Sequence, residues 1–532
     1  MSAHARQRLG DFSVDRRLPV IALLALPVGA LGACAAWALL SLIGLATNLF
    51  FFGRVSTAMV AVGPGHPWWQ VLFVPIAGGL VIGLMARFGS EKIRGHGMPE
   101  AIESILIKGS RIMPKVAILK PVSAAISIGS GGPFGAEGPI IMTGGAVGSI
   151  LAQHLHLTAD ERKTLLVTGA AAGMAATFNS PLAAVLLAVE LLLFEWRPRS
   201  FIPVSLGVAV ATVVRGLILG SAPVFPVSTA GMHLSPTVDA LAAVVGVTGA
   251  IVAAGATWLV YRAEDAFARL PFHWMWWPAI GGLIIGLGGL VEPRALGVGY
   301  DVIDALLTGQ ATTGLIVGIL VVKTLIWSLS LGSGTSGGVL APVFMIGGAL
   351  GAAVGLLLPP VIPGFWALLG LTAVVGGVMR SPLTGVVFTL ELTHAWDAAL
   401  PLLIASVVAY GISVLVLPRS VLTEKIARRG LHLTRDYSTD PLETFFCEDA
   451  MRPAEGPTTP RTGVALHPRH TLRHAAYLLA EAETDELPVI DDDGRVRGVL
   501  GPRDLLVARL HDLSESTDRE RSLRYLAKLP AS

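Results

Sequence analysis

GGPFGAEGPIIMTGGAVG, residues 131–148, sets a single carboxylate, Glu137, among glycines inside a very apolar chain. Its last fourteen residues, GAEGPIIMTGGAVG at 135–148, return without a gap 203 residues later as GVLAPVFMIGGALG, 338–351, keeping the proline step, the methionine and the GGA-apolar-G ending. A second block repeats at an offset of 201: SPLAAVLLAVEL, 180–191, against SPLTGVVFTLEL, 381–392. Two long blocks at nearly one spacing indicate a duplicated architecture. Paired short apolar segments interrupted by glycine and proline are the pattern of a transporter whose site lies between repeats near the bilayer midplane. The number of crossings in each half decides between parallel and inverted repeats, an odd number meaning inverted.

Composition supports a membrane setting. Of 532 residues, 53% are hydrophobic and only 14% charged, and the mean hydropathy is +0.67. Apolar runs at 19–52, 71–85, 201–219, 241–260 and 315–331 approach or exceed the roughly 20 residues that cross a bilayer. Segments 97–107, 116–128, 181–194 and 382–392 are shorter and cannot all span cleanly. A net charge of +2, with no basic run interleaved with aromatics, gives no footprint for nucleic acid. Cys34 and Cys447 lie far apart in differently composed regions and are read as reduced thiols.

Basic residues cluster at Arg87, Lys92 and Arg94, at Lys108, Arg111 and Lys115, at Arg197 and Arg199, and at Arg419, Lys425, Arg428 and Arg429. By the positive-inside rule these face the cytoplasm, together with the basic segment 1–18 and everything after about 430. The expected organisation is an N-terminal segment 1–18 and a transmembrane domain 19–430 with halves at about 19–220 and 237–430. A linker 431–440, a small soluble domain 441–510 and a tail 511–532 follow. The expected location is the cell membrane, multi-pass, with both termini cytoplasmic.

Three glycine-rich turns precede apolar segments: GHGMPE at 95–100, GGPFGAEGP at 131–139 and GSGTSGGVLAP at 332–342. Free N–H groups opening a helix bind anions without a formal charge, so the three turns together can surround one small anion. Glycines in membrane helices also serve close packing alone. Glu137 separates these readings, because an ionisable side chain at membrane depth is a functional-site hypothesis by default.

The motifs GxGxPE at 95–100, GxEGP at 135–139, GxxAP at 338–342 and the paired SPL…E blocks resemble the signatures of the CLC family of chloride channels and chloride/proton antiporters, in family order over about 19–430. The resemblance implies an all-α membrane fold, an inverted repeat of tilted and broken helices, and a homodimer in which each subunit has its own anion path. Glu137 would be the external gating glutamate, competing with chloride and carrying protons. The amides of Val339 and Leu340 would hold the anion, with His96, Gly97, Gly135 and Ala136 as further anion-site candidates. A carboxylate beside an anion site acts as a tethered anion, so protonating it vacates the place.

Three positions depart from the family pattern. His96 replaces a serine, which removes a hydroxyl ligand and brings either an added donor and pH response or a simple capping role. Leu422 stands where the family has a central tyrosine. Leu191 stands where the antiporters have their internal proton-transfer glutamate, directly after Glu190. Glu190 is therefore the candidate relay, and its repeat mate Glu391 favours helix-end capping or polar packing for both. Proton-linked exchange and uncoupled chloride conduction both remain open.

Downstream, CEDAMRP at 447–453, an amphipathic helix over 471–481 and LPVIDDDGRVRGVLGPRDLL at 487–506 read as helix, strand, turn, strand, helix. This resembles one CBS domain, a small α/β module that works in pairs and so implies pairing with the copy on a second subunit. Asp504 is the candidate ligand residue for an adenosine nucleotide, but Gly501 stands where nucleotide-binding copies have Ser or Thr, which favours a dimer-stabilising cap. Neither cofactor nor metal is called for, and no covalent chemistry is expected. GTSGG at 334–338 imitates a nucleophile elbow around Ser336, yet it follows a membrane helix instead of a strand. In HLH at 154–156, two histidines at i and i+2 point apart. From another class, the rival reading is a membrane sensor whose CBS domain binds a ligand and whose helices only transmit the signal.

Overall fold

A computed structural model describes residues 17–106, 109–430, 442, 445–453 and 464–506. The segment 1–16, the linker 431–440 and the tail 511–532 lie outside the described residues. The chain separates into a large helical unit within Ser13–Arg435 and a small one within Asp436–Ser532.

The large unit contains seven helices long and apolar enough to cross a membrane, among the described residues. The first, Leu18–Phe52, has 35 residues and its counterpart Pro236–Ala268 has 33. At 1.5 Å per residue each runs about 50 Å, well beyond the roughly 30 Å of hydrocarbon, so both must tilt or project. Inside them pack shorter helices, including Glu137–Gln153, Leu340–Gly355, Phe365–Met379 and Pro382–Thr393, most of whose residues are buried. Phe365–Met379 is buried throughout and capped by left-handed residues at both ends, Gly364 and Arg380.

Close backbone contact explains why small residues recur on these inner helices. Glu137–Gln153 crosses Ala159–Phe178 where Gly144 and Gly169 meet: a Cβ on either would lie about 2 Å from the other's carbonyl oxygen, at 2.2 and 2.1 Å. The second half repeats the crossing with Gly347 against Gly370. Such small-residue seams are how membrane helices gain van der Waals packing without a hydrophobic driving force.

Two lysines expose the duplication most clearly. Lys120 is fully buried and donates to the carbonyls of Ile93 (2.8 Å) and Gly95 (2.7 Å). Lys323, also fully buried, donates to Ala295 (2.9 Å) and Gly297 (2.7 Å). The lysines are 203 residues apart and their acceptors 202. Both clamp a Gly-x-Gly loop, Gly95–His96–Gly97 or Gly297–Val298–Gly299, whose glycines all have positive φ. An ammonium on two carbonyls satisfies a charge that would otherwise be prohibitive in the interior.

The small unit holds the helices Cys447–Ala450 and Leu472–Glu481 and an antiparallel pair, Leu487–Ile490 with Val496–Leu500, with an irregularity between Val489 and Ile490. Leu466, Leu472, Leu479, Leu487, Val489 and Leu500 form its core. Cys447 is buried there, and burial pushes its thiol up to about 12, leaving it protonated and inert at neutral pH.

Candidate functional site

The turn before Glu137 and the turn before Leu340 lie against each other as a short antiparallel rung. Gly338 donates its N–H to the Gly135 carbonyl (2.7 Å), and Gly135 donates back to Gly338 (3.3 Å). The helices Glu137–Gln153 and Leu340–Gly355 therefore bring their N-termini together, and the positive ends of both dipoles converge on one place.

Glu137 occupies that place. It is 1% exposed, and one carboxylate oxygen accepts a hydrogen bond from the backbone N–H of Leu340. The other oxygen has no hydrogen-bond partner among the described residues. Glycine on both turns makes room for it: a Cβ on Gly338 would lie 2.0 Å from one carboxylate oxygen, and one on Gly135 1.9 Å from the other. A buried carboxylate that accepts from a helix's first amide occupies the kind of place in which a free anion would be bound.

The third turn joins from the other side. Gly95 donates to the Thr335 carbonyl (2.9 Å), which ties the GHG loop to the GTSGG loop. Gly138 packs on the carbonyl of His96, 1.8 Å from an ideal Cβ position, so only glycine fits there. The His96 side chain is 4% exposed and its Nδ1 has no partner among the described residues. Gly97 sits against the carbonyl of Gly138 and the Met142 side chain. Ala136 precedes the Glu137 helix and Val339 precedes the Leu340 helix, both buried. The six anion-site candidates and Glu137 thus lie on three turns that pack on one another.

Sequence reasoning missed Lys120. Besides its two carbonyls it reaches the Ser336 hydroxyl (3.2 Å), which lies 3.0 Å from that of Ser123. Ser336, the residue of the elbow-like motif, is thereby a buried partner of a lysine. The missed signal was present, because KPVSAAISIGSG at 120–131 and KTLIWSLSLGSG at 323–334 extend the repeat backwards at the same 203 spacing.

Glu190 and Glu391 take reciprocal positions. Glu391 accepts from the backbone N–H of Leu182 (2.9 Å) and Ala183 (2.8 Å), while Glu190 accepts from the N–H of Thr384 (2.9 Å) and from its hydroxyl. Each carboxylate caps the SPL helix of the opposite half, compensating amides that have no partner of their own. Leu191 and Leu422 are fully buried. Tyr261 donates its hydroxyl to the carbonyl of Val421, the residue before Leu422, and is thereby engaged.

A charged vestibule of about 400 Å³ opens beside these loops, lined by Arg94, Glu100, Glu103, Lys425 and Arg429 among others. Glu100 pairs with Arg429 (2.7 Å) and Lys425 (3.8 Å), which anchors the first turn of the GHG helix to the segment after Leu422. In the small unit, Asp504 accepts from Arg452 Nε (2.8 Å) with one oxygen and from the Gly501 N–H (2.8 Å) with the other.

A family model described as voltage gated chloride channel matches residues 78–414, and a CBS domain model matches 459–511. The H(+)/Cl(-) exchange transporter ClcA of Salmonella arizonae is 30% identical over 426 residues, covering 74% of this chain and 82% of that protein. The protein of the same name from Citrobacter koseri is 32% identical over 370 residues, covering 63% and 74%. Among solved structures, a slow cyanobacterial Cl-/H+ antiporter superposes with a TM-score of 0.66 at 23% identity, over 78% of this chain and 99% of that one. A CLC-type fluoride/proton antiporter superposes with a TM-score of 0.67 at 20% identity, over 77% and 98%. The structural likenesses establish a common fold.

Proposed function

The chain belongs to the voltage-gated chloride channel (CLC) family of multi-pass membrane proteins, and from that premise we propose that it carries chloride or a similar small anion across a membrane in exchange for protons, with Glu137 as the gate. One observation carries the reading: the Glu137 carboxylate sits on the Leu340 amide where two helix N-termini meet, as a bound anion would. Deprotonated, it blocks that place. A proton removes its charge, weakens its hold on the amide and frees the place for a mobile anion. His96, Gly97, Gly135, Ala136 and Val339 supply the surrounding amides and one imidazole, and anion and proton exchange at one carboxylate.

Uncoupled conduction is the second reading, favoured by Leu191 and Leu422, which remove the familiar inner relay and hydroxyl gate. Glu190 is the remaining carboxylate that can take the relay, and its place as a helix cap shows what such a role would disturb. The basic clusters support cytoplasmic termini. A single CBS copy supports a homodimer in which the copies pair. Both oxygens of Asp504 are engaged within the domain, which supports a structural cap over a nucleotide site.

The test is chloride efflux from loaded liposomes with external pH recorded together, for the native protein and for Glu137→Gln. Proton movement against chloride that the substitution abolishes is the expected result. Chloride movement without protons would identify the uncoupled conductor, and absence of any flux would favour the sensor.

A further inference from the structure

Three imidazoles, those of His467, His470 and His474, stand in a row in the small unit. The ring centroids of His467 and His470 are 5.8 Å apart, and those of His470 and His474 are 4.6 Å apart, edge to face. Two of the rings accept hydrogen bonds from the backbone. The His467 N–H donates to Nδ1 of His470, and the Arg469 N–H donates to Nδ1 of His467, both at 3.1 Å. An imidazole nitrogen that accepts carries no proton, so both rings are neutral with their hydrogen on Nε2. An imidazolium has a proton on each nitrogen and can take neither bond.

The turn that these bonds close ties the small unit together. The carbonyls of His470 and Pro468 accept from the N–H groups of Cys447 (2.8 Å) and Glu448 (3.0 Å), and Leu472 donates to Phe445 (3.0 Å). Leu466, just before the turn, donates to Pro488 and accepts from Ile490, both at 2.8 Å. Cys447, Leu466 and Leu472 all belong to the unit's apolar core.

The charges around the row divide unequally among its members. Asp492 lies 3.5 Å from Nε2 of His467 and favours its charged form, but its side chain is 85% exposed and so screened by water. On the helix Cys447–Ala450, Asp449 is spent on the Phe446 N–H (2.8 Å), with Glu448 beside it, and the Cys447 thiol is protonated. In the hairpin, Asp491 is taken by Arg497 (2.7 Å). Arg469 and Arg473 flank His470 in the chain and oppose a further positive charge, although Arg473 turns towards the Tyr477 hydroxyl (3.3 Å). His470 itself is buried, and burial lowers the half-buried His474 below the ordinary histidine range.

We propose that this row is an acid-released latch: neutral, the histidines close the turn that holds the small unit together, and protonated, they open it. A proton from solvent adds to Nδ1, the backbone N–H it displaces turns to water, and no other covalent bond changes. Neighbouring imidazolium rings at these spacings also repel one another. The folded turn needs neutral rings, whereas the unfolded chain takes up protons near the ordinary histidine value of about 6.5. The stability that the latch supplies is therefore complete above that value and is lost as pH falls below it. No residue of the membrane unit takes part, so the latch stands whether or not Glu137 gates an anion path.

Hydrogen exchange of the full-length protein in detergent tests this, read by mass spectrometry on peptides within 464–481 and corrected for the intrinsic pH dependence of exchange. Between about pH 7.5 and about pH 5.5 their protection should fall about tenfold, with a midpoint in the histidine range of about 5 to 7. The helix Leu340–Gly355 in the membrane unit should keep its own protection. His467→Asn combined with His470→Asn should match the native protein at the higher pH and hold that protection at the lower, because an asparagine carbonyl oxygen accepts in place of Nδ1 and does not titrate. Equal native protection at both pH values would overturn the proposal, as would a midpoint below about 5, where carboxylates titrate. An acid loss in the paired variant as large as the native one would overturn it too. Should that variant be unprotected already at the higher pH, the native midpoint decides.

Discussion

The two halves of the membrane unit share their scaffold and differ in their chemistry. Both halves clamp a Gly-x-Gly loop with a buried lysine, cross two inner helices at paired glycines, and lend a glutamate to cap a helix of the other half. Yet Glu137 corresponds to Leu340, His96 to Val298, and Ser336, which Lys120 reaches, to Pro133, which offers Lys323 nothing. What duplication retained is the holding of backbone. What diverged are the side chains around the Glu137 carboxylate, so the proposed function resides where the pseudo-symmetry is broken.

The lysines provide the most severe way to break this comparison. Lys120→Met and Lys323→Met each strand two buried carbonyls, at about 1–3 kcal/mol apiece. Both should sharply reduce the yield of monodisperse protein in detergent, Lys120→Met more because it also abandons Ser336. A Lys120→Met protein that unfolds at the native temperature but has lost anion flux would move that lysine from scaffold to conduction.

Gly338→Ala acts on the gate. Its methyl would overlap the Glu137 carboxylate, forcing it off the Leu340 amide, so anion flux should lose most of its proton dependence and approach that of Glu137→Ala. Gly135→Ala should act in the same direction from the opposite turn. Flux recorded between acid and neutral pH decides, and an unchanged pH profile would mean that the carboxylate is not held where the two glycines leave room. The smallest effects belong to the caps: Glu190→Gln and Glu391→Gln should each lower stability by about 1 kcal/mol, visible as a small fall in apparent unfolding temperature. If Glu190→Gln alone also loses proton movement, the cap doubles as the relay and the symmetry ends there.

Much of this arrangement could be read from the chain. Glu137, the GxEGP and GxxAP turns and the SPL…E blocks announced themselves because glycine, proline and a lone carboxylate are conspicuous in apolar sequence. The Leu18–Phe52 and Pro236–Ala268 spans were bracketed by the runs 19–52 and 241–260, whose composition suits lipid. Lys120 and Lys323 are hard to read from the chain although each sits in an apolar helix segment, because their acceptors are backbone carbonyls some 25 residues earlier, which side-chain identity does not reveal. The reciprocity of Glu190 and Glu391 was half visible as a repeat, but only the fold tells that each serves the other half.

The rung between Gly135 and Gly338 bears on ancestry. Because the carboxylate of Glu137 meets the Leu340 amide only where one repeat lies against the other, a lone ancestral half would have lacked the proposed site. Two copies inserted in opposite senses would have been needed to build one. Fusion into one chain then released each copy from having to serve both sides, and one could keep a glutamate where the other settled for leucine.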